Sequence, residues 1–98
     1  MSEHVPRVTV RVVISGRVQG VWYRGWTVQQ ASAAGLDGWV RNRSDGTVEA
    51  VFTGPSDRVD EMIEACRGGP PAARVTGIEC FDDTDPPAQS GFQQRPTL

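Results

Sequence analysis

Val8-Thr9-Val10-Arg11-Val12-Val13-Ile14-Ser15-Gly16-Arg17-Val18-Gln19-Gly20-Val21-Trp22-Tyr23-Arg24 is the stretch whose reading decides the fold of this chain. Val8, Val10, Val12 and Ile14 alternate with Arg7, Thr9, Arg11 and Ser15, and only Val13 interrupts the polar face. That two-residue period predicts a half-buried strand. Gly16 and Gly20 then punctuate a loop that permits a sharp turn. From Arg24 to about Ala34 the period changes: Trp26, Val28, Ala31 and Ala33-Ala34 mix with Gln29, Gln30 and Ser32. This predicts a helix, closed by Gly35 in the left-handed conformation. Arg24 therefore falls on a first helical turn, where the positive end of the helix dipole makes a cation cost roughly 0.3–1 kcal/mol. An anion between guanidinium and helix end would offset that cost. Backbone N–H groups, a helix dipole and an arginine fork together describe a phosphate or carboxylate site.

Working outward, Leu36 to Arg43 reads as a second strand holding Trp39 and Val40, and Ser44-Asp45-Gly46 as a three-residue hairpin connection. Thr47 to Thr53 returns as a third strand with Val48, Ala50 and Phe52 on one face. Gly54-Pro55-Ser56-Asp57 opens a second helix with Ser56 or Asp57 as its candidate cap. Val59, Met62, Ile63 and Cys66 form its apolar stripe, and Arg67-Gly68-Gly69-Pro70-Pro71 ends it. Arg74 to Phe81 is a weakly alternating fourth strand, Asp82 to Ser90 an acidic loop, and Gly91 to Arg95 a short final strand. The order β-α-β-β-α-β predicts an α+β ferredoxin-like sandwich, with two helices on one face of an antiparallel sheet and a short extra C-terminal strand. The expected domain covers residues 7–95, between tails at 1–6 and 96–98. In this topology the first two strands run parallel with the third between them, so their C-terminal ends share a rim. Asn42 has the parity of Val40 and should face the helical layer, where Arg24 begins the first helix.

A chain of 98 residues has room for one domain, and its 38 % apolar content is that of an ordinary globule. A net charge of −2 gives no general attraction to nucleic acid or acidic membranes, so any anion site must be built locally. No apolar run reaches membrane-spanning length, and Met1-Ser2-Glu3-His4 lacks a basic region followed by a hydrophobic one. The expectation is a cytoplasmic protein. Cys66 and Cys80 lack metal-ligand or Cys-x-x-Cys spacing and read as inert, partly buried thiols. The single histidine, His4, lies in the N-terminal tail, which rules out a Ser-His-Asp or Cys-His arrangement and a His-rich metal centre. Asp82, Asp83 and Asp85 suggest a cation site only weakly, because Pro86-Pro87 and the missing ligand spacing favour a solvated loop. No metal and no cofactor are expected.

Gly16-Arg17-Val18-Gln19-Gly20-Val21-Trp22-Tyr23-Arg24 resembles the phosphate-binding signature of acylphosphatases, and Gly38-Trp39-Val40-Arg41-Asn42-Arg43-Ser44-Asp45-Gly46 resembles their second signature. Arg67 to Val75 and Gly91-Phe92 are similar to later family features, so the resemblance runs from about Arg7 to Arg95. It implies the same ferredoxin-like sandwich and hydrolysis of a carboxyl-phosphate anhydride. By position it makes Arg24 the phosphate-binding arginine and Asn42 the residue that orients the attacking water. The cradle would be the loop amides of Val18, Gln19, Gly20, Val21, Trp22 and Tyr23. Trp22 is bulkier than what many members place there, and Gln93-Gln94 more polar than their usual final strand.

The inventory suits that reaction. The leaving carboxylate has a conjugate acid of pKa about 4, so it departs without protonation. A phosphate monoester would expel an alkoxide and usually needs a general acid or metals. Plainer readings stand beside this one: Arg24 as a surface arginine, Asn42 as a strand-end cap, the aromatics as packing. Gly16 to Arg24 lacks the Gly-Lys-Ser/Thr of a nucleotide P-loop. Two rival functions are an anion-binding regulatory or interaction module without turnover and a single-stranded RNA-binding domain on the same fold. The second would want exposed aromatics on the central strands and a basic sheet face. The leading expectation is a monomer acting on a small-molecule acyl phosphate, engaging neither nucleic acid nor membrane.

Overall fold

A computed structural model describes residues 5–82 and 85–98. Its elements run β1 (Arg7–Arg17), α1 (Tyr23–Ala33), β2 (Asp37–Asn42), β3 (Val48–Pro55), α2 (Ser56–Gly68), β4 (Arg74–Phe81) and β5 (Phe92–Gln94). The strands form one sheet in the order β4-β1-β3-β2-β5. β1 is antiparallel to both β3 and β4, and β2 is antiparallel to β3, so β1 and β2 point the same way across β3. Their C-terminal ends share a rim, as the α+β sandwich requires. The final strand differs from a wholly antiparallel sheet: β5 pairs parallel with β2, Gly38 opposite Phe92 and Val40 opposite Gln94. The connection from β4 to β5 runs from one edge of the sheet to the other and reverses direction on the way.

Alternation places Val10, Val12 and Ile14 of β1, Val40 of β2, and Val48, Ala50 and Phe52 of β3 on the face that receives Tyr23 and Ala31 of α1 and Val59, Met62 and Cys66 of α2. Phe52 stacks on Phe92 with ring centroids 5.4 Å apart, which fastens β5 to the core. The weak alternation of β4 has a specific cause. Ile14 pairs with Ile78 and Ser15 with Gly77, but Gly16 pairs with Val75, leaving Thr76 as the extra residue of a bulge. Val75 and Ile78, three positions apart, thereby both pack on the core.

Two local expectations are corrected. Neither Ser56 nor Asp57 caps α2: β3 runs directly into the helix, Pro55 is its N-cap, and no side chain caps it. Ser56 instead donates its backbone N–H to Pro6 (2.9 Å), while Asp57 Oδ1 accepts from the amide of Arg58. Cys66 is buried as expected, but Cys80, on the edge strand β4, is exposed.

The opposite sheet face is covered by long side chains rather than left bare. Glu49, 7 % exposed at its side chain, receives Arg41 Nε at 2.8 Å and Arg11 Nη1 at 3.2 Å. Arg11 lies over Phe81 and Arg41 over Trp39, with centroid distances of 4.2 and 4.6 Å. This layer is why Val13, the interruption in the polar face of β1, is buried. Among the described residues no helix is long and apolar enough to cross a membrane.

Candidate active site

The loop between β1 and α1 is shaped by two left-handed residues, Gly20 (φ 75°) and Trp22 (φ 67°, ψ 25°). Glycine adopts that conformation freely; a tryptophan held there costs roughly 1–2 kcal/mol. Trp22 is also the N-cap of α1, and it supplies no capping hydrogen bond. No acidic residue occupies the first turn either. The ladder begins with the Trp26 amide donating to Trp22 at 3.1 Å. Among the described residues, no hydrogen bond engages the backbone N–H groups of residues 19–25. The positive end of α1 and the loop before it thus present a run of unspent donors, the arrangement that binds anions.

Arg24 stands at the second position of this helix, half-buried, and among the described residues no ion pair or hydrogen bond engages its guanidinium. Its neighbour Tyr23 is fully packed and donates its hydroxyl to the carbonyl of Cys66, tying the start of α1 to the end of α2. Burial, then the nearby Cys66, pushes the Tyr23 hydroxyl well above its ordinary range, so it stays a donor. Burial likewise pushes the Cys66 thiol up to about 12, and the nearby Tyr23 hydroxyl opposes that shift only in part.

Arg24 and Asn42 meet at one pocket of about 190 Å³, which Val18, Gly20, Trp22 and Tyr23 of the expected cradle also line. At roughly 30 Å³ per water, that is room for a phosphate group and an attacking water. Asn42 ends β2, and its Oδ1 is buried with no hydrogen-bond partner among the described residues. A buried orphan acceptor costs about 1–3 kcal/mol unless something fills it. Its backbone is held from the other side, since Leu98 donates its N–H to the Asn42 carbonyl at 3.1 Å. The residues at 96–98, expected to trail, therefore reach the strand that carries this side chain.

The part expected of Gln19 and Val21 in the cradle is that of their backbone amides, and their side chains serve elsewhere. Val21 packs against the hydrophobic core, and neither side chain lines the pocket. The Gln19 amide donates to the carbonyls of Arg43 (2.8 Å) and Thr47 (2.9 Å), clasping the loop to the β2–β3 hairpin. Two further lining residues, Gly25 and Gln94, were not anticipated. Gln94 arrives through the parallel pairing of β5, which no local pattern announces. Gly25 had a legible signal, because a glycine in a first helical turn costs about 1 kcal/mol against alanine. The reason for it is the Trp22 indole, whose Cδ1 and Cε2 would lie 2.8 and 2.9 Å from a methyl added at Gly25. Trp22, 58 % exposed as a residue, lines the pocket with its indole set against the helix at Gly25.

No cluster of three metal-ligating side chains occurs among the described residues. His4 and Asp83 lie outside them.

A sequence profile of the acylphosphatase family matches residues 10–94. An acylphosphatase of Rhizorhabdus wittichii is 56 % identical over 97 residues, spanning 99 % of this chain and 97 % of its own. One from Rhodospirillum rubrum is 59 % identical over 90 residues, or 92 % of this chain and 98 % of its own. The crystal structure of acylphosphatase from Bacillus subtilis matches with a TM-score of 0.85 at 33 % identity, covering 90 % of this chain and 98 % of that one.

Proposed function

The chain belongs to the acylphosphatase family and hydrolyses acyl phosphates, and we propose that Arg24 with the amides of the 18–23 loop holds the phosphate while Asn42 holds the attacking water. The observation that carries these roles is one shared pocket at which a guanidinium, a run of amides and the buried Oδ1 of Asn42 find no partner among the described residues. Each incomplete group is completed by one part of the reacting pair. The dianionic phosphate takes the donors, and Oδ1 accepts a hydrogen from the water.

Water attacks phosphorus as the bond from phosphorus to the bridging oxygen breaks. The electron pair of that bond leaves with the carboxylate, which needs no proton. The water proton passes to a phosphate oxygen, so the products are carboxylate and dihydrogen phosphate. What remains for the protein is positioning and stabilisation of charge on the equatorial oxygens, the main demands of phosphoryl transfer. A planar guanidinium matches two of those oxygens at once, which a lysine cannot do. No metal or cofactor has a role in this scheme.

The substrate is a small molecule and neither nucleic acid nor membrane takes part. A monomer is the form proposed, since Arg24, Asn42 and the loop amides that the reaction needs are all carried by one fold. The cytoplasm is the proposed compartment, in keeping with two free thiols. Asn42→Ala tests the division of labour. It is expected to lower kcat for benzoyl phosphate about 10²-fold or more while inorganic phosphate inhibits as before. Turnover near the wild-type rate would remove Asn42 from the water-holding role.

A further inference from the structure

Trp22 is expensive to keep where it is. A tryptophan occupies a left-handed conformation, the helix carries a glycine to admit its ring, and the residue remains 58 % exposed. Core packing explains none of this, since the ring lies at the mouth of the pocket and outside the buried cluster. Arg24 and the loop amides account for the phosphate half of a substrate. Its acyl half is joined through a single oxygen and must emerge from a pocket of about 190 Å³. The large apolar surface it meets there is the indole; Gln94, also at the lining, is polar.

We infer that Trp22 is the acyl-group platform, a specificity-determining residue that makes flat, aromatic acyl phosphates better substrates than acetyl phosphate. The inference rests on the loop being the phosphate cradle, as proposed above. Indole and acyl ring stack offset, and the left-handed backbone at Trp22 sets where the ring is presented. Gly25 completes the device by giving the indole room against the helix, where a methyl would meet Nε1, Cδ1 and Cε2 of the ring.

The test compares kcat/KM for benzoyl phosphate with kcat/KM for acetyl phosphate in the wild type, Trp22→Gly, Trp22→Asn and Trp22→Phe. Glycine and asparagine both suit a positive φ, so these variants keep the loop conformation. The ratio cancels any loss common to both substrates. It is expected to fall roughly tenfold in Trp22→Gly and Trp22→Asn, through a higher KM for benzoyl phosphate, and to stay within about threefold in Trp22→Phe. An unchanged ratio, with both substrates still hydrolysed, would overturn the platform and leave the cradle standing. Equal losses on both substrates together with a lower melting temperature would assign Trp22 a purely structural part and also overturn it. Failure of the wild type to hydrolyse either substrate would instead strike the underlying reading of the site.

Discussion

Arg24 and the pair Arg11 and Arg41 serve opposite sides of one sheet, and the protein treats their charges in opposite ways. On the open face, one nearly buried carboxylate, Glu49, bonds both arginines, and the rings of Phe81 and Trp39 lie beneath their guanidinium planes. Those cations are spent on holding β1, β2 and β3 together. On the helical side, Arg24 sits at the positive end of α1 beside amides that, among the described residues, bond nothing, and no acidic side chain among those residues answers it. The contrast teaches how to tell a structural cation from a functional one. A structural arginine brings its counter-charge in the same chain; a binding arginine leaves the counter-charge to the ligand.

The sharpest way to break this comparison is Arg24→Ala. We expect kcat/KM for benzoyl phosphate to fall about 10³-fold or more, and Arg24→Lys to recover little of it. The same change should leave stability equal or raise it by about 0.3–1 kcal/mol, because it removes a cation from a helix N-terminus. Urea denaturation beside steady-state kinetics reads both signs. A clear loss of stability would place Arg24 among the structural arginines.

Glu49→Gln inverts the pattern. It keeps the shape but takes the charge from between two half-exposed guanidinium groups, and it should cost about 1–3 kcal/mol in urea denaturation with activity within twofold of wild type. Arg11 and Arg41 can each turn toward water, which holds the loss below that of a fully buried pair. A neutral result would mean that the aromatic contacts alone secure this face.

The smallest effect belongs to the exposed hairpin. The Thr47 hydroxyl and amide, with the Arg43 charge contributing less, hold the Asp45 carboxyl below its ordinary range. A depressed carboxylate contributes stability above its unfolded value of about pH 4, and that contribution disappears as pH falls through the folded value. The urea midpoint of Asp45→Asn should therefore trail wild type slightly at pH 6 and converge on it toward pH 2. A gap that persists in acid would point to side-chain shape rather than charge.

Much of the fold was legible because its signals are local. The alternation of Val8, Val10, Val12 and Ile14, the glycines after them and the changed period from Arg24 each involve near neighbours in the chain. The expected topology and the parity of Asn42 with Val40 together put Asn42 on the side of Arg24, and the two do line one pocket. Parity failed at β4, where the extra Thr76 shifts the phase and brings Val75 and Ile78 to the same side. The side chain of Gln19 carried no local signal of its role, because its Nε2 donates to carbonyls of the distant hairpin.

The amino-acid order by itself determined the succession of strands and helices, the placement of an arginine at a helix start and the glycine-bent loop before it, since steric and periodic preferences act over a few residues. Only the tertiary structure decided that β5 runs parallel to β2, that Glu49 is buried between two cations, that Gln94 borders the pocket and that Asn42 Oδ1 is left without a partner. Each of those outcomes depends on which distant segments exclude water from a group and which ones bond it. Desolvation and pairing are properties of the assembled chain, and no short stretch of residues carries them.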